Sequence, residues 1–377
     1  MKVLICFGTR PEAIKMAPVI EGFTNSLAFD VYTLNTGQHL ELMQPVLELF
    51  DIKPSKSLEV MQSNDTLENL FSRILLRSSE YMRELLPDIV LVHGDTSTTL
   101  AVALAAFYLK IPIVHVEAGL RSFDMNNPFP EEMNRVLLSK LASYHFAPTT
   151  TAKNNLLTES VPEEKIQVTG NTVIDAINII RPRIGDYVSN SKIFEICEKA
   201  KYKNKKIVYV TCHRRENQEK GLQELCEALI ELSSDERLLF IFVLHMSPVV
   251  RNLAIENLKN IENINLVEPV GYIESLYLLS NSYFVLTDSG GLQEEAPVFG
   301  VPVLVLRETT ERPEGIDAGV AKLVGCNKQL IVEMSRSLLA EHDIYNLMSK
   351  KINPYGDGFA SEKIVHTVKN YFLKSKP

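Results

Sequence analysis

The sequence predicts an α/β protein built from two doubly wound parallel-sheet domains. Short apolar, β-branched runs recur along the whole chain and alternate with helix-like stretches, which is the pattern of βαβ units. A chain of 377 residues exceeds what one hydrophobic core usually holds, so two domains are expected. The runs form two sets, which divide near Gly170-Asn171-Thr172.

Each set supplies four clear strands. They are predicted at Val3–Phe7, Val31–Leu34, Ile89–Val92 and Ile113–Val116, and then at Ile207–Val210, Leu239–Val243, Phe284–Leu286 and Val301–Val305. Helical stretches between them include Leu100–Tyr108, Leu222–Leu232 and Leu330–Leu339. We expect residues 1–170 to form the first domain and 171–358 the second. The C-terminal helix within 359–377 is expected to pack back on the first domain.

Composition excludes several classes of protein. Hydrophobic residues make up 45% and charged residues 23% of the chain, as in ordinary globular proteins. A net charge of −8 argues against nucleic acid or an anionic membrane as the main partner. The apolar stretch Thr98–Val116 contains Lys110 and Pro112, so it is not expected to span a membrane. The five scattered cysteines lack CxxC spacing, which favours reduced thiols in the cytoplasm and no metal site. No signal peptide is expected before the first strand.

In doubly wound sheets, ligands bind at the carboxyl ends of the strands. The first predicted strand is followed by GTRPEAIK, residues 8–15. This turn lacks the G-x-G-x-x-G pattern, so a nicotinamide-dependent dehydrogenase is not favoured. Arg10 and Lys15 are suited to binding a phosphate or a carboxylate. Exposed side chains without a ligand explain this segment equally well.

Carboxylates follow the next two strands of the first domain. Asp95, within HGDTST, has an alternative role as a helix N-cap. Glu117 directly follows an apolar strand, and a plain ion pair with Arg121 is its structural alternative.

A third acidic position lies in PFPEEMNR, residues 128–135. Glu131 and Glu132 start a predicted helix, where they favour the helix dipole, and Glu131 is spaced to pair with Arg135. Each acid alone has a structural explanation. Together, Asp95, Glu117 and Glu131 form a cluster of the kind that acid–base chemistry needs.

In the second domain, histidine and arginine side chains follow the predicted strands, where the first domain has acids. TCHRREN places His213, Arg214 and Arg215 after one strand, and HMSP places His245 after the next. LTDSGGLQEEA, residues 286–296, turns from a strand through two glycines into a helix. A strand, a glycine turn and a helix N-terminus make a phosphate-binding arrangement. The sequence therefore predicts an anion site here, although a lone histidine is more often structural.

Ordered blocks along the chain resemble those of the non-hydrolysing UDP-N-acetylglucosamine 2-epimerases. The blocks are GTRPEAIKMAP, HGDTSTT, HVEAGLRS, PEEMNR, GNTVIDA, HRREN, LTDSGGLQEEAP, TTERPEG and NPYGDG. The resemblance implies a GT-B architecture, in which two Rossmann-like domains face a cleft, usually in a homodimer and with no cofactor. It implies reversible interconversion of UDP-GlcNAc and UDP-ManNAc. In that reaction, UDP is eliminated to give 2-acetamidoglucal and is then added back. The product would supply ManNAc units for cell-surface polysaccharide.

The resemblance also implies roles for individual residues. The catalytic positions match Asp95, Glu117, Glu131 and His213, with His213 assigned to the leaving diphosphate. Which acid removes the C2 proton and which returns it stays open. The substrate-binding positions match Arg10, Lys15, Arg135, Val270, Ser289, Gly290, Gly291, Glu295 and Arg312. Glu295 is expected to bind the ribose hydroxyls and Val270 the uracil, whereas Glu294 is expected on a different face without a ligand role.

Three positions depart from the family pattern. Gln38-His39 is followed by Leu40, where many relatives have an arginine that belongs to a second, activating UDP-GlcNAc site. Gln38, His39 and His245 are thus only possible allosteric residues. Cys212 replaces a small residue, and Ser275 replaces an apolar or aromatic residue expected near the uracil.

Other functions remain open at this stage. Three other enzymes would share the nucleotide-binding site: a hydrolysing 2-epimerase, a 2-epimerase for a related UDP-2-acetamido sugar and a GT-B glycosyltransferase. A non-enzymatic binding protein would tolerate loss of the acids, all of which are present.

Overall fold

The chain folds into two compact units. In this computed structural model, residues 1–38, 40–62, 65–213, 220–350 and 353–373 are described. The first unit comprises Met1–Ile179 with Tyr355–Pro377, and the second comprises Ile180–Pro354.

The first unit contains a seven-stranded parallel sheet. Its strands are β1 (Lys2–Phe7), β2 (Asp30–Asn35), β3 (Lys56–Ser57), β4 (Ile89–His93), β5 (Ile113–Val116), β6 (Tyr144–Ala147) and β7 (Ile166–Val168). Their order in the sheet is β3-β2-β1-β4-β5-β6-β7. The helices that connect them are α1 (Arg10–Thr24), α2 (Leu40–Leu49), α3 (Leu67–Leu85), α4 (Ser97–Tyr108), α5 (Glu131–Leu141), α6 (Thr150–Thr158) and α7 (Thr172–Ile180).

The second unit contains a six-stranded parallel sheet. Its strands are β8 (Lys206–Thr211), β9 (Leu238–Val243), β10 (Ile264–Val267), β11 (Ser282–Thr287), β12 (Val303–Val305) and β13 (Ala321–Leu323). Their order is β10-β9-β8-β11-β12-β13. The helices are α8 (Ile184–Val188), α9 (Lys192–Tyr202), α10 (Lys220–Leu232), α11 (Pro248–Leu258), α12 (Tyr272–Asn281), α13 (Gly290–Glu295), α14 (Pro313–Asp317), α15 (Lys328–Ala340) and α16 (His342–Met348). Short 3-10 helices lie at Glu163–Lys165, Arg181–Arg183 and Ala296–Phe299.

The last segment of the chain belongs to the first unit. Helix α17 (Ala360–Val368) packs against α1 and continues into a π-helical turn, Lys369–Leu373. Its start is fixed by Asp175 in α7, whose carboxylate accepts hydrogen bonds from the Ser361 backbone N–H at 2.8 Å and the Ser361 hydroxyl at 2.6 Å. The chain thus returns to the first sheet after it has completed the second.

The predicted fold class is confirmed, because both sheets are parallel and doubly wound. All eight predicted strands are present, with the run Val301–Val305 shortened to Val303–Val305. The five strands that the sequence did not predict are β3, β6, β7, β10 and β13. None of them exceeds four residues, and His145, Gln167, Asn265 and Lys322 interrupt their apolar pattern. Their tertiary position in the sheet outweighs a weak local signal.

Buried apolar side chains explain the central strands. The residues of β1, β4 and β5 are almost all inaccessible to solvent, apart from Lys2 at the start of β1, as expected when helices cover both faces of a parallel sheet. In the described part of the chain, we find no helix that is long and apolar enough to cross a membrane.

Candidate active site

Each sheet has one place where the chain reverses its direction of winding. In the first sheet this switch point lies between β1 and β4, and in the second between β8 and β11. Ligands of open α/β sheets bind at the carboxyl ends of such strand pairs. The segments that follow these strands contain most of the predicted site residues, and we describe them unit by unit.

In the first unit, Glu12 joins the two turns at the switch point. Its carboxylate accepts the backbone N–H groups of Gly8 at 2.9 Å and Thr9 at 2.7 Å. It also accepts the hydroxyls of Thr96 at 2.7 Å and Thr99 at 2.9 Å, which lie beyond β4. The sequence analysis did not assign Glu12, although Thr9-x-x-Glu12 has the spacing of a capping box. Its role is structural, because it fixes the β1 turn against the β4 turn.

Glu117 lies at the end of β5 with a strained backbone and polar partners. Its φ angle is 61°, a left-handed conformation that is costly for a residue with a side chain and is often found at functional sites. Its Oε2 accepts hydrogen bonds from Lys15 Nζ and from Asn171 Nδ2, the latter at 2.9 Å. Lys15, predicted as a ligand-facing residue, is therefore buried beside a catalytic candidate.

The alternative explanation for Glu117, an ion pair with Arg121, is wrong. Arg121 binds Glu159 instead, through Nε at 2.6 Å and Nη2 at 2.8 Å. Because Arg121 is held by this two-point ion pair, the carboxylate of Glu117 is not committed to a salt bridge with it.

Asp95 and Arg135 form a second charged pair at the switch point. Arg135 donates to Asp95 Oδ2 from Nε and Nη2, both at 2.7 Å. Arg135 Nη1 also binds Glu132 at 2.9 Å. Glu132, which is buried, in turn accepts the backbone N–H groups of Ser122 and Phe123. The Asp95 carboxylate is thus oriented by a guanidinium that is itself anchored.

The predicted pairing of Glu131 with Arg135 is wrong. Glu132, three residues before Arg135, takes that place because it is the side chain that faces into the unit. Glu131 is half-buried, and among the described residues its carboxylate has no hydrogen-bond partner. It is therefore the least constrained of the three predicted acids.

Two buried histidines support the turn before Asp95. His115 Nε2 lies 2.7 Å from the Gly94 carbonyl oxygen, and its ring meets that of His145 edge to face at 6.4 Å. Burial, chiefly, lowers the pKa of His115 to about 3 and that of His145 to about 4. Both rings are therefore neutral at pH 7, and His115 donates to the carbonyl from Nε2.

The remaining predicted residues of the first unit are Arg10 and Gln38. Arg10 is the first residue of α1 and is half-buried, and no ion pair joins it to another described residue. Gln38 Oε1 accepts a hydrogen bond from Thr98 at 3.1 Å, at the start of α4. His39, the other possible allosteric residue of this unit, lies outside the described residues.

In the second unit, His213 is held by Asp288. The carboxylate of Asp288 lies 2.8 Å from His213 Nδ1 and accepts the His213 backbone N–H at 2.9 Å. Asp288 is fully buried, whereas His213 is about one-third exposed. The sequence analysis did not assign Asp288, although it directly follows β11. A carboxylate on Nδ1 orients the ring, so that Nε2 points away from Asp288.

His245 packs against the same ring. The two imidazoles stack with centroids 5.9 Å apart and an interplanar angle of 26°. Burial and the neighbouring His213 lower the pKa of His245. Arg214 and Arg215 lie outside the described residues.

The turn after β11 brings together the residues predicted to bind a nucleotide. Ser289 is the N-cap residue of α13. A Cβ added to Gly291 would lie 3.9 Å from Ser289 Oγ and 3.8 Å from Glu295 Oε1. A Cβ added to Gly290 would lie 3.5 Å from the guanidinium carbon of Arg312. These are ordinary contact distances, so packing within the chain does not require glycine at either position.

Arg312 is fixed by two acidic residues. Its Nε binds Glu294 at 2.8 Å and its Nη1 lies 3.2 Å from Glu311. Glu294, for which no role was predicted, is therefore a buried partner of Arg312 and not a solvated residue. Sequence spacing could not show this, because the partner lies 18 residues away.

Two further positions were predicted near the uracil. Val270 lies between β10 and α12 and is half-buried. Ser275, in α12, lies 3.1 Å from the hydroxyl of Tyr209, so the polar replacement at this position is matched by a hydrogen bond. Among the described residues, no group of three or more histidine, cysteine or acidic side chains is placed to hold a metal ion.

Comparison with known proteins gives a consistent result. A family model described as UDP-N-acetylglucosamine 2-epimerase matches residues 23–369. The UDP-N-acetylglucosamine 2-epimerase of Campylobacter jejuni is 46% identical over 383 residues, covering 100% of this chain and 98% of the relative. The crystal structure of UDP-GlcNAc 2-epimerase from Neisseria meningitidis bound to UDP-GlcNAc is 44% identical with a TM-score of 0.89, and the match covers 98% of this chain and 100% of that one. The Methanocaldococcus jannaschii enzyme in complex with UDP-GlcNAc and UDP is 36% identical with a TM-score of 0.80, over 98% of this chain and 100% of that one.

Proposed function

The chain belongs to the UDP-N-acetylglucosamine 2-epimerase family, and we propose that it interconverts UDP-GlcNAc and UDP-ManNAc by inverting C2 of the sugar. It is an isomerase of this family. The observation that carries the proposed chemistry is the pair of separately oriented carboxylates after β4 and β5, Asp95 with Arg135 and Glu117 with Lys15.

The proposed mechanism is elimination followed by re-addition. A carboxylate takes the proton from C2, the electron pair of that C–H bond forms the C1–C2 double bond, and UDP leaves with the electron pair of the C1–O bond. In the return step, a UDP oxygen adds to C1 and a proton is delivered to the opposite face of C2. Two acidic groups with different environments suit two faces of one carbon. We assign these steps to Asp95, Glu117 and Glu131 as a group.

We assign the departing diphosphate to residues of the second unit. His213 presents Nε2 to the diphosphate, and the Asp288 carboxylate on Nδ1 holds the ring in that orientation. Gly290 and Gly291 permit close approach of a phosphate to the backbone, since the chain's own packing leaves room for a Cβ there. Glu295, beside Ser289, accepts the ribose hydroxyls, as carboxylates commonly do in nucleotide sites. Arg312 is the substrate-binding arginine that we assign to the second unit, and Arg10 is the one that we assign to the first.

The alternatives are separated by their products. Purified protein is incubated with UDP-GlcNAc and no acceptor, and the nucleotide sugars are resolved by anion-exchange chromatography. The proposal predicts UDP-ManNAc without a matching release of UDP. Free ManNAc and UDP in equal amounts would instead identify the hydrolysing reaction. An unchanged substrate would leave a glycosyltransferase or a related UDP-2-acetamido sugar to be tested, and would contradict our assignment.

We further propose that the enzyme works as a homodimer. Apolar side chains are exposed on two neighbouring helices of the first unit, with Phe107 and Tyr108 at the end of α4 and Met133 and Leu137 on α5. Exposed apolar groups in one region often mark a protein interface. Light scattering after size-exclusion chromatography would give twice the mass of one chain for a dimer, whereas a single-chain mass would contradict this proposal.

A cytoplasmic location, with the product feeding cell-surface polysaccharide, completes the proposal. Cys197 and Cys226 are buried free thiols, and burial raises the pKa of each to about 12. Protonated, buried thiols are inert to disulfide exchange, which suits a reducing compartment.

A further inference from the structure

His93, the last residue of β4, has no role in the function described so far. Its side chain is 4% exposed, and Nε2 has no hydrogen-bond partner among the described residues. This nitrogen lies 3.7 Å from Glu117 Oε2, just beyond hydrogen-bond distance. Leaving a buried polar atom unpaired costs free energy, so an unpaired nitrogen aimed at a catalytic candidate calls for a functional explanation.

The surroundings of Glu117 distinguish its two oxygens. Lys15 Nζ and Asn171 Nδ2 both donate to Oε2, and His93 Nε2 faces the same atom. Oε1 lies on the side of Gly94, 3.7 Å from where a Cβ on that glycine would be. Because donors stabilise negative charge on the oxygen they contact, these groups favour the charged form of Glu117.

The protonation state of His93 follows from its environment. Burial lowers the pKa of His93 most, and the charge of Lys15 lowers it further, whereas Glu117, Glu12 and Asp95 act in the opposite direction. The ring is therefore neutral at pH 7. A nitrogen lone pair aimed at a carboxylate oxygen would be repelled, so Nε2 carries the hydrogen.

We propose that His93 is a positioning residue for Glu117: it donates its Nε2–H to Oε2 when the carboxylate is charged, and so holds the carboxylate that exchanges a proton with C2 of the sugar. This inference rests on the proposed role of Glu117 as an acid–base group. In the proton transfer, the C2–H bond breaks or forms and the proton moves to or from the carboxylate of Glu117. His93 keeps its own proton throughout, so it changes the acidity of Glu117 without taking part in the proton balance.

Two substitutions at His93 separate a hydrogen-bond donor from a packing residue. His93→Leu keeps apolar volume and removes the donor, whereas His93→Gln places an amide N–H the same number of bonds from the backbone. His145→Gln is the matched control, since His145 is another buried, neutral histidine of the same sheet. Each variant is tested for folding by circular dichroism and thermal unfolding.

The pKa of Glu117 is measured by titration of the 13C-carboxyl signal in selectively labelled protein, with Glu117→Gln used for assignment. Loss of a donor to the charged form raises the pKa of the carboxyl, so we expect an increase of about one unit in His93→Leu. The acid limb of the kcat profile should move by the same amount, and kcat at pH 7 should fall about 10-fold or more. His93→Gln should restore both values, and His145→Gln should leave the pKa of Glu117 where it is in the unmodified protein.

Either of two results would overturn the inference. One is a folded His93→Leu protein in which the pKa of Glu117 does not change, and the other is a folded His93→Gln protein that behaves like His93→Leu. The carboxyl titration does not need turnover. If the protein has no epimerase activity, the proposed function is wrong, but the titration still tests the contact between His93 and Glu117. If His93→Leu does not fold, His93→Phe, which keeps an aromatic ring but has no N–H donor, takes its place in the comparison with His93→Gln.

Discussion

At the scale of single residues, two of the three candidate carboxylates are each held by different partners. Glu117 is held by Lys15 and Asn171, and Asp95 is held by Arg135. Glu131 stands without such a partner within the described residues. The three carboxylates therefore differ in what surrounds them. This difference is what a reaction needs when one group removes a proton and another returns it.

We therefore expect the acids to act on turnover and not on nucleotide binding. Glu117→Gln and Asp95→Asn should each reduce kcat by roughly 100- to 10,000-fold, because the amide cannot exchange a proton. The affinity for UDP, measured by calorimetry, should be unchanged. Glu163→Gln, which alters an exposed acid of the same unit, is the control. Near-normal turnover in both site variants would refute the assignment.

A second residue-scale prediction concerns Asp288. Asp288→Asn removes the carboxylate that holds His213 Nδ1, so the ring loses its fixed orientation toward the leaving group. By analogy with other histidine–carboxylate pairs, kcat should fall by roughly 100- to 10,000-fold, with the fold unchanged by circular dichroism. Asp235→Asn serves as control, because the Asp235 carboxylate pairs with Arg237 at the surface. Equal activity of the two variants would show that Asp288 is merely structural.

At the scale of elements, the candidate residues lie on the turns that follow the strands at the two switch points. In the first unit, the β1 turn approaches the β4 turn so closely that only glycine fits at position 8. A Cβ on Gly8 would overlap the hydroxyl oxygens of Thr36 and Thr98. The buried carboxylate of Glu12 closes the same junction from the other side. The turns are thus locked to each other before any ligand binds.

The sequence predicted these turns and most of their charged residues, because a parallel sheet must place strand ends on one edge. It did not predict which charges pair. Glu132 replaced Glu131 beside Arg135, and Glu159 replaced Glu117 beside Arg121, since helix rotation and loop path decide between adjacent residues. The sequence does contain a signal for two unassigned acids: Glu12 has the spacing of a capping box, and Asp288 directly follows a strand. Asn171, which contacts Glu117 across 54 residues, has no local signal.

The close contact between the β1 turn and the β4 turn predicts an effect of substitution at Gly8 on stability. Gly8→Ala should lower the free energy of unfolding by about 1–3 kcal/mol, since the new methyl group overlaps two side chains. Gly185→Ala, in α8, is the control: nothing lies within 4 Å of the new Cβ, so it should raise stability by roughly 0.5–1 kcal/mol. Urea unfolding measures both. A Gly8→Ala protein as stable as the unmodified one would contradict the close approach.

At the scale of the whole molecule, buried histidines link the fold to pH. The first sheet buries three neutral histidines, His93, His115 and His145, within consecutive strands. Burial lowers the pKa of each of them. The folded state therefore resists protonation at sites that the unfolded chain protonates readily, and this links the stability of the protein to pH.

The direction in which stability changes with pH can also be predicted. A histidine with a lowered pKa in the folded state stabilises the protein above about pH 6.5, the value in the unfolded chain, and this stability is lost as the pH falls toward about 4 for His145 and about 3 for His115. Urea midpoints should thus fall between pH 7 and pH 4.5, and His145→Gln should reduce that fall. His366→Gln, at an exposed position, should not. An identical pH dependence in all three proteins would contradict this account.

We propose above that the enzyme inverts C2 by removing and returning its proton. The most direct test is proton NMR of UDP-GlcNAc incubated with the enzyme in deuterated water. We predict that the C2 proton signal disappears as UDP-ManNAc forms, since the returned proton comes from solvent and deuterium enters C2. UDP-ManNAc that forms with its C2 proton fully retained would contradict the account.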